Sequence, residues 1–193
     1  VKLSNRKDII LLLLYCPGDT KKYEEPILGR TRIMKLIYLF NKEIYKQFGF
    51  DKLIPGNKLA VFEPYKYGPF SVDVFSDLNF FENIKFIERK QEGETGTPVV
   101  DFEEFKRYLE EFIFDENDLT EEIATYNVEQ FILTAVGKNF ALRLFDSLNE
   151  RQKEALANFK ARYNSCTLNS LLSYVYKTYP EDASKSEIKD KIL

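Results

Sequence analysis

The sequence predicts an α+β fold, mainly helical with a small antiparallel sheet, and three observations carry that prediction. Apolar residues recur at helical spacing, most clearly Ile33, Leu36, Ile37, Phe40, Ile44 and Phe48. Short runs of strand character, Leu59–Phe62, Ile84–Lys90 and Val128–Thr134, fall between helical segments rather than alternating regularly with them. With 44% hydrophobic and 31% charged residues, the 193-residue chain has the composition of a folded domain and not of a disordered one.

The elements follow in order. Ser4 is positioned to cap a helix over about 5–15, and Pro17-Gly18-Asp19 stops it. Its apolar run Ile9–Cys16 is shorter than the about 20 residues that span a bilayer. No small-residue cleavage site follows it, so it reads as a buried helix and not as a signal peptide. Residues 18–28 are polar and read as a loop. The helix over 29–48 is the clearest, with Gly49 as its stop and Arg30, Arg32, Lys35, Lys42 and Lys46 as its basic complement. Pro55-Gly56-Asn57 marks a turn, and Tyr65-Lys66-Tyr67-Gly68-Pro69 a rigid one. Ser71 caps a helix over 72–82 with Val72, Phe75, Leu78 and either Phe81 or Val74 inward.

Residues 92–98 read as a loop, 102–114 as a helix with Glu103, Glu104, Glu110 and Glu111 outward, and 115–122 as an acidic loop. After the strand over 128–134 come helices over 135–148, 150–164 and from Thr167 to Tyr179. Ser184-Lys185-Ser186-Glu187 fits a capping box for a last short helix. Strands 84–90 and 128–134 following helix 72–82 resemble the wing of a winged-helix domain. The division expected is a domain over 1–148, with an acidic insertion at 91–127, and a helical extension over 149–193 packed on it.

Composition excludes several chemistries. There is no His, which removes Ser-His-Asp and Cys-His catalysis, His-ligated metals and a His switch. No phosphate-cradling Gly-rich loop and no nucleophile elbow is present. Cys16 and Cys166 make no CxxC pair and read as reduced thiols in a cytoplasmic protein. No cofactor is expected. The net charge of −3 is spread unevenly: +6 over residues 1–69, −12 over 70–130 and +3 over 131–193. That distribution reads either as mutually attracting faces of one globule or as a basic surface for an anionic partner.

Three segments, in order, resemble one family. Ile27-Leu28-Gly29-Arg30-Thr31-Arg32-Ile33-Met34-Lys35-Leu36-Ile37-Tyr38-Leu39 is similar to the opening of the Panacea, or SocA-like antitoxin, domain and its YwgA-like relatives. Tyr65-Lys66-Tyr67-Gly68-Pro69-Phe70-Ser71 resembles that family's Y-x-Y-G-P-[YF]-S segment, with Asp77-Leu78 following. Phe131-Ile132-Leu133-Thr134-Ala135-Val136-Gly137 resembles its late Y-x-L-T-x-x-G turn. The stretch 91–127 departs from the family, which has a short connection there. The resemblance implies a mainly helical domain that acts by direct contact with a partner protein, as an antitoxin or a proteolytic adaptor.

The contact residues expected are Arg30, Arg32, Lys35, Tyr65 and Tyr67, with Gly68 and Pro69 holding the turn. Tyr and Arg dominate interface anchors, and the basic side chains would recognise carboxylates or phosphates. A winged-helix regulator of DNA is the alternative. It is disfavoured because helix 72–82 carries Asp73, Asp77 and Glu82 and no Lys or Arg. A more remote alternative is a Mg²⁺-dependent nuclease built on Asp77 and Glu88-Arg89-Lys90. No membrane association is expected, and self-association is left open.

Overall fold

The computed structural model describes residues 1–90 and 130–192. The loop, helix and acidic segment expected over 92–122, and the first two residues of the strand expected from 128, lie outside the described residues. The chain is an α+β, mainly helical domain, with antiparallel sheets of three and two strands among the described residues.

Helix α1 (Arg6–Tyr15) is buried from Asp8 to Tyr15. A helix apolar on all sides has to be a central one. Its cap is Asn5 rather than Ser4: the Asn5 side chain accepts from Lys7 N at 2.9 Å, and Asp8 accepts from Asn5 N at 3.1 Å. Strand β1 (Ile27–Leu28) leads through Gly29, at φ +81°, into α2 (Arg30–Leu39). The expected single helix over 29–48 ends earlier. At Phe40 it widens into a π-helical turn (Phe40–Ile44), and Gly49 reverses the chain at φ +73°. The wider turn accompanies the burial of Phe40, Ile44 and Tyr45 together, while Glu43 reaches the hydroxyls of Tyr163 (2.7 Å) and Tyr174 (2.8 Å).

No strand forms over Leu59–Phe62. The hairpin lies just after it, in β2 (Glu63–Tyr65) and β3 (Gly68–Phe70), with Tyr65 opposite Gly68. Ser71 caps α3 (Val72–Asn83) as expected, but Val72 is 54% exposed and does not join the inward set Val74, Phe75, Leu78 and Phe81. Strand β4 starts at Ile87, later than expected; Ile84 and Lys85 precede it, Lys85 at φ +61°. Strand β5 (Gln130–Leu133) lies between β1 and β4, with Ile27 opposite Phe131 and Ile87 opposite Leu133. Strand β5 thus joins β1, from before α2, to β4, from after α3, while the β2–β3 hairpin forms a separate two-stranded sheet between those helices.

Thr134 caps α4 (Ala135–Asp146), accepting from Gly137 N and donating to Lys85 O at 2.6 Å. A Cβ on Gly137 would overlap the Phe86 carbonyl. The Leu-Thr-x-x-Gly segment thus ties α4 to the entry of β4. Asn149 opens α5 (Glu150–Asn164) with a capping box to Gln152, and Thr167 opens α6 (Leu168–Thr178).

The helices after residue 148 pack on the rest of the domain. Leu156, Phe159, Leu171, Leu172 and Val175 belong to one apolar cluster with α1 and α2. The Ser184–Glu187 capping box does not form. Instead the tail docks on the hairpin: Glu187 N donates to Lys66 O at 2.9 Å, and Ser186 Oγ bonds Lys66 O and Tyr176 Oη. The last helix, α7, covers only Lys189–Ile192. No described helix is long and apolar enough to cross a membrane.

Candidate functional site

The sequence places Arg30, Arg32 and Lys35 on an outward basic face. The structure turns all three inward, at 6%, 7% and 2% exposure. Their burial makes them structural residues of the interior rather than surface contacts. The reason lies in their stems, which cross apolar surface, and in their heads, which find buried acceptors.

Arg30 donates to Asn79 Oδ1 at 3.1 Å and pairs with Glu82 at 3.3 Å, and Arg89 meets the other oxygen of Glu82 at 3.2 Å. The guanidinium of Arg30 also lies over the rings of Phe75 and Phe131. Arg32 Nη1 donates to Tyr163 O at 2.9 Å and Cys166 O at 2.8 Å, supplying the carbonyls that the end of α5 leaves open. Lys35 Nζ donates to Pro69 O at 2.8 Å, and burial pulls its ammonium down to about 7. Lys160, missed by the sequence reading, works in the same way. It donates to Cys16 O (2.9 Å) and Glu25 O (2.7 Å), and burial lowers its pKa.

The first two family-like segments therefore meet in the interior. Lys35 holds the Gly68-Pro69 turn from one side and Tyr176 closes it from the other. Gly68 has φ +76°, and a Cβ there would stand 2.5 Å from Tyr176 Cε1. The third segment joins through Phe131 beneath Arg30. Pro69 is buried, while Tyr65 and Tyr67 are half-buried, with the Tyr65 ring 5.3 Å from that of Phe70. Burial, with Glu187 nearby, raises the Tyr67 phenol. Gly68 and Pro69 begin β3 at this turn, while Arg30, Arg32 and Lys35 do not reach the surface beside it.

Of the residues in the nuclease reading, Asp77 is 2% exposed and its carboxylate is taken by Arg6 Nε at 2.7 Å, while Glu88 is exposed on β4 opposite Ile132. No group of three or more acidic or Cys side chains among the described residues could hold a metal ion.

The outward face of α3 is what the structure adds. Val72 (54%), Phe80 (41%) and Ile84 (41%), the last just past the helix end, stand exposed with Ser76 at successive spacings of four. That spacing makes one ridge along the helix. Val61, 68% exposed, extends it at the helix start, where its N–H donates to Asp73 at 3.2 Å. Lys7 Nζ lies 4.1 Å above the Phe80 ring. A partial signal was in the sequence: Phe80 and Ile84 fall outside the inward set expected of this helix, although Val72 was counted within it.

No family model, no curated protein and no solved structure matches the chain. The resemblance to the Panacea domain rests on the three segments themselves.

Proposed function

We propose that this protein is a non-enzymatic interaction module that docks a partner protein on the outward ridge of α3. The observation that carries this reading is the chemistry of that ridge. Helix α3 is the one that a winged-helix reading would make the recognition helix, yet its outward face presents Val72, Ser76, Phe80 and Ile84, and the helix has no Lys or Arg. Exposed aromatic and aliphatic side chains in one row suit a protein interface, where burying them from water drives association. Antitoxin-like or adaptor-like action agrees with the family resemblance, and a cytoplasmic location agrees with the two free cysteines.

Phe80→Asp tests the proposal, since Phe80 is part-exposed and the change should leave the fold intact. Wild type should retain one stoichiometric protein partner from nuclease-treated lysate, and Phe80→Asp should lose it at unchanged melting temperature. Equal retention by the variant would overturn the reading. A second reading, sequence-specific DNA binding, is favoured by the β1–β5–β4 connectivity. It requires a duplex shift that falls steeply with salt.

A further inference from the structure

A cleft of about 490 Å³ opens between the chain reversal after the π-helical turn and the α4–α5 turn. Lys46 and Lys52 line one wall and Arg151 the other, and Asp51 is the one acid among its lining residues. None of these four forms an ion pair among the described residues, and all four are exposed. A surplus of positive charge here is not a default of composition, because the chain as a whole is acidic.

The walls are held firmly. Gln152, 4% exposed, donates its amide to both Phe48 O and Gly49 O at 3.3 Å, and its oxygen caps Asn149 N. Phe50 and Ile54 anchor the loop in the core, and Tyr45 Oη donates to Ile54 O at 2.6 Å. The apolar part of the lining is Phe48, with the Arg151 guanidinium 5.4 Å from its ring centroid, and the exposed Leu53.

From this we infer that the cleft binds a nucleoside phosphate. Two exposed lysines without an ion pair among the described residues, facing Arg151, whose Nη2 donates to Gln47 O at 3.5 Å, suit a multiply charged anion, whose attraction to them grows in a concave site. The volume lies in the range of small-molecule sites and exceeds what a bare phosphate fills. The Phe48–Arg151 pair and Leu53 offer planar and apolar surface to a base. The inference does not rest on the α3 interface.

ADP titrated calorimetrically into the full chain at low ionic strength is the test, with adenosine, pyrophosphate and a single-stranded oligothymidylate as separate arms. ADP should bind one to one, and both adenosine and pyrophosphate should bind at least about tenfold more weakly. Lys46→Glu and Lys52→Glu, both exposed, should each weaken ADP by about tenfold at unchanged melting temperature. Phe80→Asp should leave ADP affinity unaltered, which separates this site from the α3 ridge. No binding of ADP would overturn the inference. So would pyrophosphate binding equal to ADP, undiminished binding by the two variants, or tighter binding of the oligonucleotide, which would assign the cleft to nucleic acid.

Discussion

Arg32→Met keeps most of the side-chain volume while removing the guanidinium that Tyr163 O and Cys166 O share, at 2.9 and 2.8 Å. Each hydrogen bond from a charged donor contributes about 1.5–3 kcal/mol, so two contribute about 3–6 kcal/mol. Two features move the value to the lower end. Arg32 Nε is buried without a hydrogen-bond partner, and Tyr163 O keeps a weak donor in Cys166 Sγ at 3.2 Å. Removing only the donor leaves the Cys166 carbonyl partner-poor at the end of α5, so the loss is not offset by the apolar replacement. A destabilisation of about 3 kcal/mol lowers the melting temperature of a domain this size by roughly 6–12 °C. Arg32→Glu should lower it further, because a carboxylate would then face two carbonyls in a buried site. The assay is thermal unfolding by circular dichroism, with the exposed Lys177→Met as control, expected within about 2 °C of wild type. An Arg32→Met variant that melts as the control does would refute the assignment of Arg32 to the interior.

Gly68→Ala should destabilise by roughly 1–3 kcal/mol, since it combines a left-handed backbone with a Cβ 2.5 Å from Tyr176 Cε1; partial rescue by Tyr176→Ala in a double-mutant cycle checks the contact. Lys35 has a folded pKa of about 7, below its ordinary 10.5, so between those values the unfolded chain binds more protons and stability rises with pH. From pH 7 to 9 the wild type should gain a few kcal/mol relative to Lys35→Met, roughly 1.4 kcal/mol for each pH unit crossed, measured by urea unfolding at each pH; parallel curves would reject it. Burial pushes the Cys16 thiol up to about 11, so a thiol reagent at pH 8 should label Cys166 alone in the native protein and both cysteines in denaturant. Rapid labelling of Cys16 under native conditions would contradict its burial.

Much of the fold was legible locally. Helices α3, α4 and α6 announced themselves through apolar spacing and through Ser71, Thr134 and Thr167, whose hydroxyls meet the first backbone N–H groups of the helices they precede. Such caps are local chemistry, decided within four residues. The elements that moved were decided elsewhere. Leu59–Phe62 has strand composition, but its neighbour over 63–65 finds the pairing partner. The helix over 29–48 has unbroken apolar spacing, yet it widens at Phe40, where Glu43 meets tyrosines more than a hundred residues away.

The candidate sites divide in the same manner. The turn Tyr65–Pro69 was legible because Gly and Pro restrict the backbone by themselves. The direction of Arg30, Arg32 and Lys35 was not, because a cation on a helix reads as exposed until a distant acceptor appears. Glu82, Tyr163 O, Cys166 O and Pro69 O are those acceptors. The cleft of Lys46, Lys52 and Arg151 had no local signature, since its walls are about a hundred residues apart in the chain.

By itself the sequence determined the class of fold, the start of most helices and the absence of histidine chemistry, for these depend on composition and short-range backbone preference. Only the tertiary structure decided which cations face inward, which side of α3 faces water and where separate segments enclose a cleft. Burial and hydrogen bonding between distant residues set those outcomes, and neither is written in the spacing of neighbours.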